Sequence, residues 1–157
     1  MEKAKKCVFC EIVAGRAKAY PVYEDELSMC ILDIAPFTEG HCLVIPKRHA
    51  QFWHDLTEKE IESLFKTARM VAKKMLKQYN SDFICMYARG RRIPHTHIFL
   101  VPTASGDVLD RFFNALEKFQ ESPHELVRHR NKAALTRTAR LLKLGRKKQQ
   151  MTKPAPP

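Results

Sequence analysis

Two histidines, His95 and His97, stand one residue apart in an apolar segment, and their imidazoles are the side chains best suited to chemistry. The segment RGRRIPHTHIFLVP covers residues 89–102 and is rich in branched and aromatic residues. That composition predicts a strand, in which alternate side chains share a face, so we expect both imidazoles on one face, about 6 to 7 Å apart. A polar side chain in a buried strand needs a partner or a ligand. This face is therefore where the sequence predicts a functional site.

The chemistry open to these histidines includes nucleophilic attack, proton transfer and metal binding, because an unperturbed imidazole has a pKa of about 6.5. Near the start of the chain, Cys7 and Cys10 form a Cys-x-x-Cys motif. Such a motif is typical of metal sites and equally of redox-active sites. At this point three interpretations of the histidines stay open: they share one metal ion, they have separate roles, or each is an ordinary hydrogen-bonded residue of a strand.

The elements that must position these side chains follow from the hydrophobic pattern. Four apolar segments predict strands, namely LSMCILDI, GHCLVIP, DFICMYA and IPHTHIFLV. Between the second and the third, apolar residues recur at helical spacing in LTEKEIESLFKTARMVAKKMLKQY, where Thr57 and Glu60 predict a capping box. The N-terminal segment CVFCEIV is expected to be a short motif followed by a turn. Strands followed by helices predict an α+β fold with an antiparallel sheet.

The C-terminal third of the chain is predicted to be helical and then disordered. The segment SGDVLDRFFNALEKFQES predicts a further helix, and another is predicted from Pro123 to about Lys148. The Pro-rich end, KPAPP, is expected to be disordered. The predicted organisation is thus a domain at residues 1–122, a basic helical extension at residues 123–148 and a tail at residues 149–157.

Charge is distributed unevenly along the 157 residues. All 17 acidic residues lie at or before Glu125, with 18 of the 28 basic residues, so residues 1–125 have a net charge of +1. Residues 126–157 have ten basic residues and no acidic one. Residues 126–148 are therefore predicted to bind nucleic acid, an acidic partner or an anionic membrane surface. The alternative is a solvated helix that packs on the domain through its leucines.

Composition also limits the class of protein. A chain of this length is expected to form one domain that folds without disulfide bonds. We see no run of 18 apolar residues and no basic-then-apolar leader, so neither a transmembrane segment nor a signal peptide is expected. An odd number of cysteines, five, favours reduced thiols. The expected location is intracellular, in the cytoplasm. Three cysteines in apolar segments are expected in the core: Cys30, Cys42 and Cys85.

Four segments together, CVFC, LDIAP, GHCLVIPKRH and PHTHIFLVP, resemble the histidine triad (HIT) family of nucleotide hydrolases and transferases. The resemblance covers about Cys7 to Pro102, with the segments in matching order and spacing. It implies a HIT-like five-stranded antiparallel sheet with a long helix, and a homodimer built across the sheet. It also implies a purine nucleotide over the sheet with its α-phosphate at His97. The family signature has a third histidine where this chain has Phe99.

The resemblance assigns roles to single residues. His97 corresponds to the nucleophile, which would form a covalent nucleotide intermediate, and the backbone carbonyl of His95 would select its reactive tautomer. His41 corresponds to a further active-site histidine that donates to a phosphate oxygen. Asp33 corresponds to the carboxylate that accepts from the ribose hydroxyls, and Ile34 to the apolar wall around the base.

Two departures from the family pattern affect the predicted activity. Phe99 can neither donate nor accept a proton, and general acid–base help is typically worth ~10²- to 10⁴-fold in rate. Arg91 stands where the resemblance leads us to expect a phosphate-contacting glutamine, and a guanidinium can clamp phosphate oxygens. The alternative for Arg91 and its neighbours Arg89 and Arg92 is a solvated turn.

A structural zinc ion is implied by resemblance to the zinc-bearing members of the family. In those proteins two cysteines and two histidines close a tetrahedral site. The corresponding residues here are Cys7, Cys10, His49 and His95. On this interpretation His95 holds the metal, while His97 carries out the chemistry.

Two hypotheses follow from the sequence. The first is an enzyme, a hydrolase or nucleotidyl transferase that acts at the α-phosphate of a purine nucleotide conjugate through a His97-nucleotide intermediate. The second is a degenerate member that binds nucleotide, or binds nucleic acid through its basic tail, without turnover. The leaving group stays open among an amine, a second nucleotide, pyrophosphate and a nucleic-acid end.

Overall fold

Five strands form one antiparallel sheet in the computed structural model, which describes residues 7–88, 92–121, 126 and 129–144. The strands are β1 (Pro21–Glu24), β2 (Ser28–Leu32), β3 (Cys42–Pro46), β4 (Phe83–Tyr87) and β5 (Ile98–Thr103). Their order across the sheet is β1-β2-β3-β5-β4, so β1 and β4 lie at its edges. The helices among the described residues are α1 (Val8–Val13), α2 (Glu58–Tyr79), α3 (Val108–Glu121) and α4 (Lys132–Leu142), with a 3-10 turn at Trp53–Asp55. The predicted α+β fold with a five-stranded antiparallel sheet and a long helix is confirmed.

The long helix α2 covers one face of the sheet, as its hydrophobic spacing predicts. Its buried side chains Leu64, Ala68, Val71 and Met75 pack against residues of the sheet, namely Cys30, Cys42, Val44, Ile98 and Leu100. The predicted capping box is present, because the Thr57 side chain accepts from the Glu60 amide and the Glu60 side chain accepts from the Thr57 amide. The helix ends at Asn80, whose φ of 49° is left-handed. With this face covered, the opposite face is left for a site.

Helix α1 packs on the opposite face of the sheet. Its Phe9 is 3% exposed and lies among the alternate residues of β2 and β3, namely Met29, Ile31, Leu43 and Ile45. The sequence predicted a turn rather than a helix here. A helix of six residues without a side-chain cap carries little local signal, and it is held mainly by the burial of Phe9.

The segment that contains both histidines differs from its predicted conformation. We predicted a strand over residues 93–101, but β5 begins at Ile98 and residues 92–97 are irregular. Pro94 has no amide hydrogen for a ladder, and the His95 amide bonds the Ile93 carbonyl in a tight turn. The predicted strand is therefore wrong at His95 and His97, although both rings do lie on one face of the sheet, where each packs against Phe9. The edge strand β1 was not predicted, because it has four residues without apolar alternation.

The chain divides into two compact units, residues 1–113 and 114–157. The helix predicted within residues 105–122 is observed as α3. The last helix was predicted to run to about Lys148, but the extended backbone of the N-cap residue Asn131 interrupts it, and α4 ends at Leu142. The predicted boundaries at residues 122/123 and 148/149 stay predictions, because residues 122–125 and 145–157 lie outside the described residues. Within the described ranges, every helix is too short or too polar to cross a membrane.

Candidate functional site

Four predicted metal ligands come together beside the N-terminus of α1. The ligand atoms of Cys7, Cys10, His49 and His95 all lie within 4.8 Å of one another. Sγ of Cys7 is 3.4 Å from Nδ1 of His95, and Sγ of Cys10 is 3.3 Å from Nδ1 of His49 and 3.6 Å from Nδ1 of His95. Cys7 is the N-cap residue of α1 and Cys10 lies in its first turn, so one turn of helix presents both thiols on the same side.

The spacing of this cluster suits a tetrahedral ion. An ion with bonds of about 2.3 Å to sulfur and about 2.1 Å to nitrogen holds an S–N pair about 3.6 Å apart. The three observed S–N distances lie within 0.3 Å of that value. Two thiols and two imidazoles are also the donor set of a closed structural site. The residues present therefore fit a metal ion, and the cluster is a candidate metal centre.

His95 is oriented for a ligand by its second ring nitrogen. This residue is 0% exposed, and its Nε2–H donates to the Pro46 carbonyl at 2.9 Å, at the end of β3. Because a carbonyl only accepts, the proton must be on Nε2, and Nδ1 keeps its lone pair towards the cysteines. Burial is the main cause that lowers the pKa of His95, which favours the neutral ring that a metal requires.

His97 has a different orientation. It is 6% exposed, and its Nδ1–H donates to the His95 carbonyl at 2.7 Å. The same logic leaves the lone pair on Nε2, which is the tautomer of a nucleophile. The Phe9 ring packs against both imidazoles, with its centroid 5.6 Å from that of His95 and 5.4 Å from that of His97. One residue, His95, thus offers its side chain to the metal cluster and its carbonyl to His97.

His41 lies on the same face, directly before β3, and is held as a hydrogen-bond donor. Its Nδ1 accepts from the Phe37 amide at 3.3 Å, so the ring proton is on Nε2. Burial lowers the pKa of His41 against the opposing charge of Asp33, which keeps the ring neutral. That buried Nε2–H has no hydrogen-bond partner in the part of the chain that the structure describes, and Asp33 Oδ2 is 3.7 Å away. His41 therefore keeps an unused donor close to the carboxylate of Asp33.

Gly40 explains how the chain reaches His41. Its φ is +84°, and a Cβ built at this position would lie 2.3 Å from the Tyr79 ring. Only glycine accepts both the left-handed backbone and the close ring. The last turn of α2 thus packs directly on the residue before His41.

The structure describes two of the three remaining predicted site residues. Asp33 follows β2, and its Oδ1 accepts from the Ala35 amide at 2.7 Å while Oδ2 faces His41. Ile34 is 85% exposed in the same loop, so its side chain is available to a ligand. Arg91, with Arg89, lies outside the described residues.

Comparison with known proteins agrees with this arrangement. A sequence profile described as the HIT domain matches residues 14–106, which is more than half of the chain. The chain belongs to the HIT domain family. HIT proteins are nucleotide-binding hydrolases and transferases.

Three relatives illustrate the likeness. A zinc-bound histidine triad family protein from Mycobacterium smegmatis is 34% identical, with a TM-score of 0.62 over 66% of this chain and 79% of that one. A HIT family protein from Bacillus anthracis is 26% identical, with a TM-score of 0.70 over 88% of this chain and 96% of that one. The adenylylsulfatase HINT3 of Arabidopsis thaliana is 32% identical over 108 residues, which are 66% of this chain and 55% of that protein.

Phe99, which the resemblance aligns with the third signature histidine, lies beside both predicted active-site histidines, and sequence reasoning missed the residue that accompanies it. Phe99 lies 4.9 Å from His97 and 5.6 Å from His41, measured between ring centroids. Tyr87 of β4 is its direct partner across the ladder, and the two rings stack at 4.6 Å. The sequence showed Tyr87 as one residue of an apolar strand, and only the register of β4 against β5 places it at the HIT site.

Proposed function

We propose that this HIT protein is a hydrolase or nucleotidyl transferase that acts at the α-phosphate of a purine nucleotide conjugate through a His97-nucleotide intermediate. The observation that carries the proposal is the tautomer of His97. Its Nδ1–H is fixed on the His95 carbonyl, so Nε2 is the ring nitrogen left with a lone pair for attack. A solvated imidazole would sample both tautomers.

In the proposed reaction, Nε2 of His97 attacks the α-phosphorus. A nitrogen–phosphorus bond forms while the bond from phosphorus to the leaving group breaks, and the leaving group takes the electron pair and then a proton from solvent. His41 donates its unpaired Nε2–H to a phosphate oxygen, where negative charge develops. A water molecule, or an acceptor alcohol in a transferase, then attacks phosphorus and gives its proton to solvent, while the nitrogen–phosphorus bond breaks and its electron pair returns to Nε2 of His97.

The substrate class rests on the loop after β2 and on one relative. Asp33 is proposed to accept from the ribose hydroxyls, and the exposed Ile34 to contact the base. Arg91 is proposed to contact phosphate, and this part of the proposal rests on the sequence alone. The relative from Arabidopsis thaliana is named an adenylylsulfatase, and adenylyl sulfate is a nucleotide conjugate of the proposed class.

The experiment that tests this proposal is incubation with AMP phosphoramidate and with dinucleoside polyphosphates, followed by product analysis and trapping of a nucleotidyl-protein adduct. We expect turnover and an acid-labile adduct in the wild type and neither in His97→Ala. The exposed His54 offers a matched control, and His54→Ala should retain both. Turnover that survives in His97→Ala would show that the nucleophile is assigned wrongly.

Phe99 favours a second candidate, a HIT protein that binds nucleotide without turnover. Its ring occupies the position of the third signature histidine and carries no exchangeable proton. Purified wild type that binds AMP but neither forms an adduct nor turns over any of these conjugates would support this candidate over the enzyme.

A structural zinc ion is part of the proposal. Cys7, Cys10, His49 and His95 fit its tetrahedral geometry, and the Mycobacterium smegmatis relative is zinc-bound. A bound zinc ion would tie α1 to the loops after β3 and before β5 and so hold His95, whose carbonyl positions His97. All five cysteines are free thiols, which suits an intracellular location.

The partners complete the proposal. Helix α4 has no acidic residue, and at 100° per residue its Lys132, Arg137 and Arg140 fall on one arc while Leu135, Leu141 and Leu142 fall on the other. We propose that this basic arc, with the rest of residues 126–148, binds nucleic acid or another acidic partner. A homodimer is proposed from family resemblance, and sedimentation analysis of the full chain tests it.

A further inference from the structure

The position left by the missing histidine is covered by a tyrosine on the neighbouring strand. Tyr87 pairs directly with Phe99 in the ladder between β4 and β5. Their rings are nearly parallel, with an angle of 14° between planes and 4.6 Å between centroids. Both residues pack with Cys85 and Val101, on the sheet face that also holds Phe9 and not on the face that α2 covers. Tyr87 therefore belongs to the same face as the two histidines.

The phenol of Tyr87 differs in chemistry from the ring on which it stacks. It is half-buried, and none of the described residues accepts a hydrogen bond from it. Burial, with smaller contributions from Cys85 and Asp33, raises the pKa of Tyr87, so the phenol keeps its proton at neutral pH. Its ring stacks on Phe99, whose ring centroid is 4.9 Å from that of His97, so Tyr87 lies beside the site of the proposed nucleophile.

We infer that Tyr87 donates a hydrogen bond to an α-phosphate oxygen of the bound nucleotide and so supplies the donor that Phe99 lacks. The inference rests on the proposed nucleotide site. No bond is made or broken at Tyr87. The phenol donates to an anionic oxygen, and a hydrogen bond to a charged group is among the stronger ones in proteins. Phe99 then acts as the flat support that fixes the tyrosine ring.

A purely structural role for Tyr87 makes a different prediction. As a packing residue it would contact Phe99 and Phe113, whose ring centroid is 6.2 Å away, and the hydroxyl would be dispensable. Tyr87→Phe removes one oxygen atom and keeps the ring. Comparing AMP with adenosine then isolates the phosphate, because the two ligands share the base and the ribose.

The test is calorimetric titration of AMP and of adenosine into wild type, Tyr87→Phe and the matched control Tyr23→Phe, whose ring packs on the α2 face. We expect Tyr87→Phe to weaken AMP binding about 10-fold or more and to leave adenosine binding unchanged, since a hydrogen bond to a charged group is worth about that factor. Tyr23→Phe should change neither. In the Tyr87→Phe background, Phe99→His should restore much of the lost AMP affinity, because it returns a donor to the same place.

Each other outcome has a definite meaning. Equal AMP affinity in wild type and Tyr87→Phe overturns the role of Tyr87 and leaves the proposed function standing. Equal losses for AMP and adenosine show that Tyr87 shapes the base or ribose pocket, which also overturns it. Folded wild type that binds neither ligand overturns the proposed function and this inference together. A wild type that binds AMP no more tightly than adenosine gains nothing from phosphate contacts, which overturns the inference and the proposed phosphate contact of His41 together.

Discussion

At position 99 a phenyl ring stands beside two imidazoles, one of which is the proposed nucleophile. Its centroid is 4.9 Å from His97 and 5.6 Å from His41. An aromatic ring can support its neighbours by stacking but cannot move a proton. At the scale of single residues, Phe99 can therefore help to position His97 but cannot transfer a proton to the leaving group.

Phe99→His is expected to raise turnover by up to ~10²-fold, because it returns a proton-bearing group two residues from the nucleophile. Steady-state rates on AMP phosphoramidate measure the change. The control is the double variant His97→Ala, Phe99→His, which should be inactive. An unchanged rate in a correctly folded Phe99→His protein would show that proton transfer at this position does not limit turnover.

At the scale of elements, α1 is a short helix with two features that attach it to the rest of the protein. One is the burial of Phe9, and the other is the cluster to which Cys7 and Cys10 contribute. A helix of this length has little stability of its own. A metal ion at the cluster would therefore contribute directly to the free energy of folding of the N-terminal segment.

Purified protein is expected to contain about one zinc ion per chain, and Cys10→Ser should lose it together with thermal stability. Elemental analysis and thermal unfolding measure the two effects. Cys85→Ser is a useful comparison, because Cys85 lies in a separate cluster and its loss should lower stability without releasing metal. Wild type that contains no metal, and whose melting temperature does not change when zinc is added, would contradict the zinc proposal.

The start of α2 depends on a buried carboxylate. Glu60 accepts from Arg48 Nε at 2.6 Å and from the Thr57 amide at 2.8 Å. The hydrogen bond from Arg48 is the main cause that lowers the pKa of Glu60 to about 2, below the 4.5 of a free side chain. A pKa that is lower in the folded state adds stability above the unfolded pKa, and this stability is lost as pH falls through the folded pKa.

Glu60→Gln should accordingly reduce the free energy of unfolding by about 2 kcal/mol at pH 7, since each unit of pKa shift corresponds to ~1.4 kcal/mol and the exposed Arg48 is partly screened. The difference from wild type should shrink as the pH falls from about 4.5 to about 2. Denaturant titrations across this range measure it. Glu62→Gln, an exposed position on the same helix, should have little effect at any pH. A loss in Glu60→Gln that is the same at pH 2.5 and pH 7 would contradict this account.

The elements differ in how well local sequence predicts them. Helix α2 has a capping box, helical spacing over six turns and no competing signal, so its position is fully predictable. The conformation around Pro94 was not predicted correctly. The apolar and branched composition favours a strand, but a single proline prevents the ladder hydrogen bonding of a strand there. Strand β1 is an edge strand whose exposed residues lack a pattern, and its pairing with β2 decides its conformation.

The residues of the candidate site also differ in how well the sequence predicts them. Types and spacing were enough to propose His97, His41, Asp33 and the four metal ligands, because the family pattern fixes them in sequence. Tyr87 could not be proposed, since its place beside Phe99 depends on the register of two strands that are 10 residues or more apart in the chain. The ring orientations also had to come from the structure, because backbone carbonyls determine them.

At the scale of the whole molecule, the chain joins a nearly neutral domain to a basic extension. Helix α4 presents three cations and no acid, and its leucines are exposed, with Leu141 at 78%. Binding of a polyanion by such a surface releases counterions, so the binding constant should fall steeply with salt.

Full-length protein is expected to bind a single-stranded oligonucleotide, and the pair Arg137→Gln, Arg140→Gln should weaken binding about 10-fold and reduce the salt slope by ~1 to 2. Fluorescence anisotropy at several salt concentrations measures both. The matched control, Lys66→Gln with Lys73→Gln, removes the same charge from exposed positions of α2. Equal losses in the two double variants would indicate an effect of net charge, and unaffected binding would exclude α4 from the interface.

The acceptor that fixes the His97 proton is a main-chain carbonyl, that of His95. No substitution at position 95 deletes a backbone carbonyl, although every substitution there removes the imidazole from the metal cluster. A substitution at position 95 would therefore separate the two proposed roles. It would remove a proposed metal ligand and keep the main-chain acceptor of the His97 proton, which the surrounding backbone alone would then hold in place.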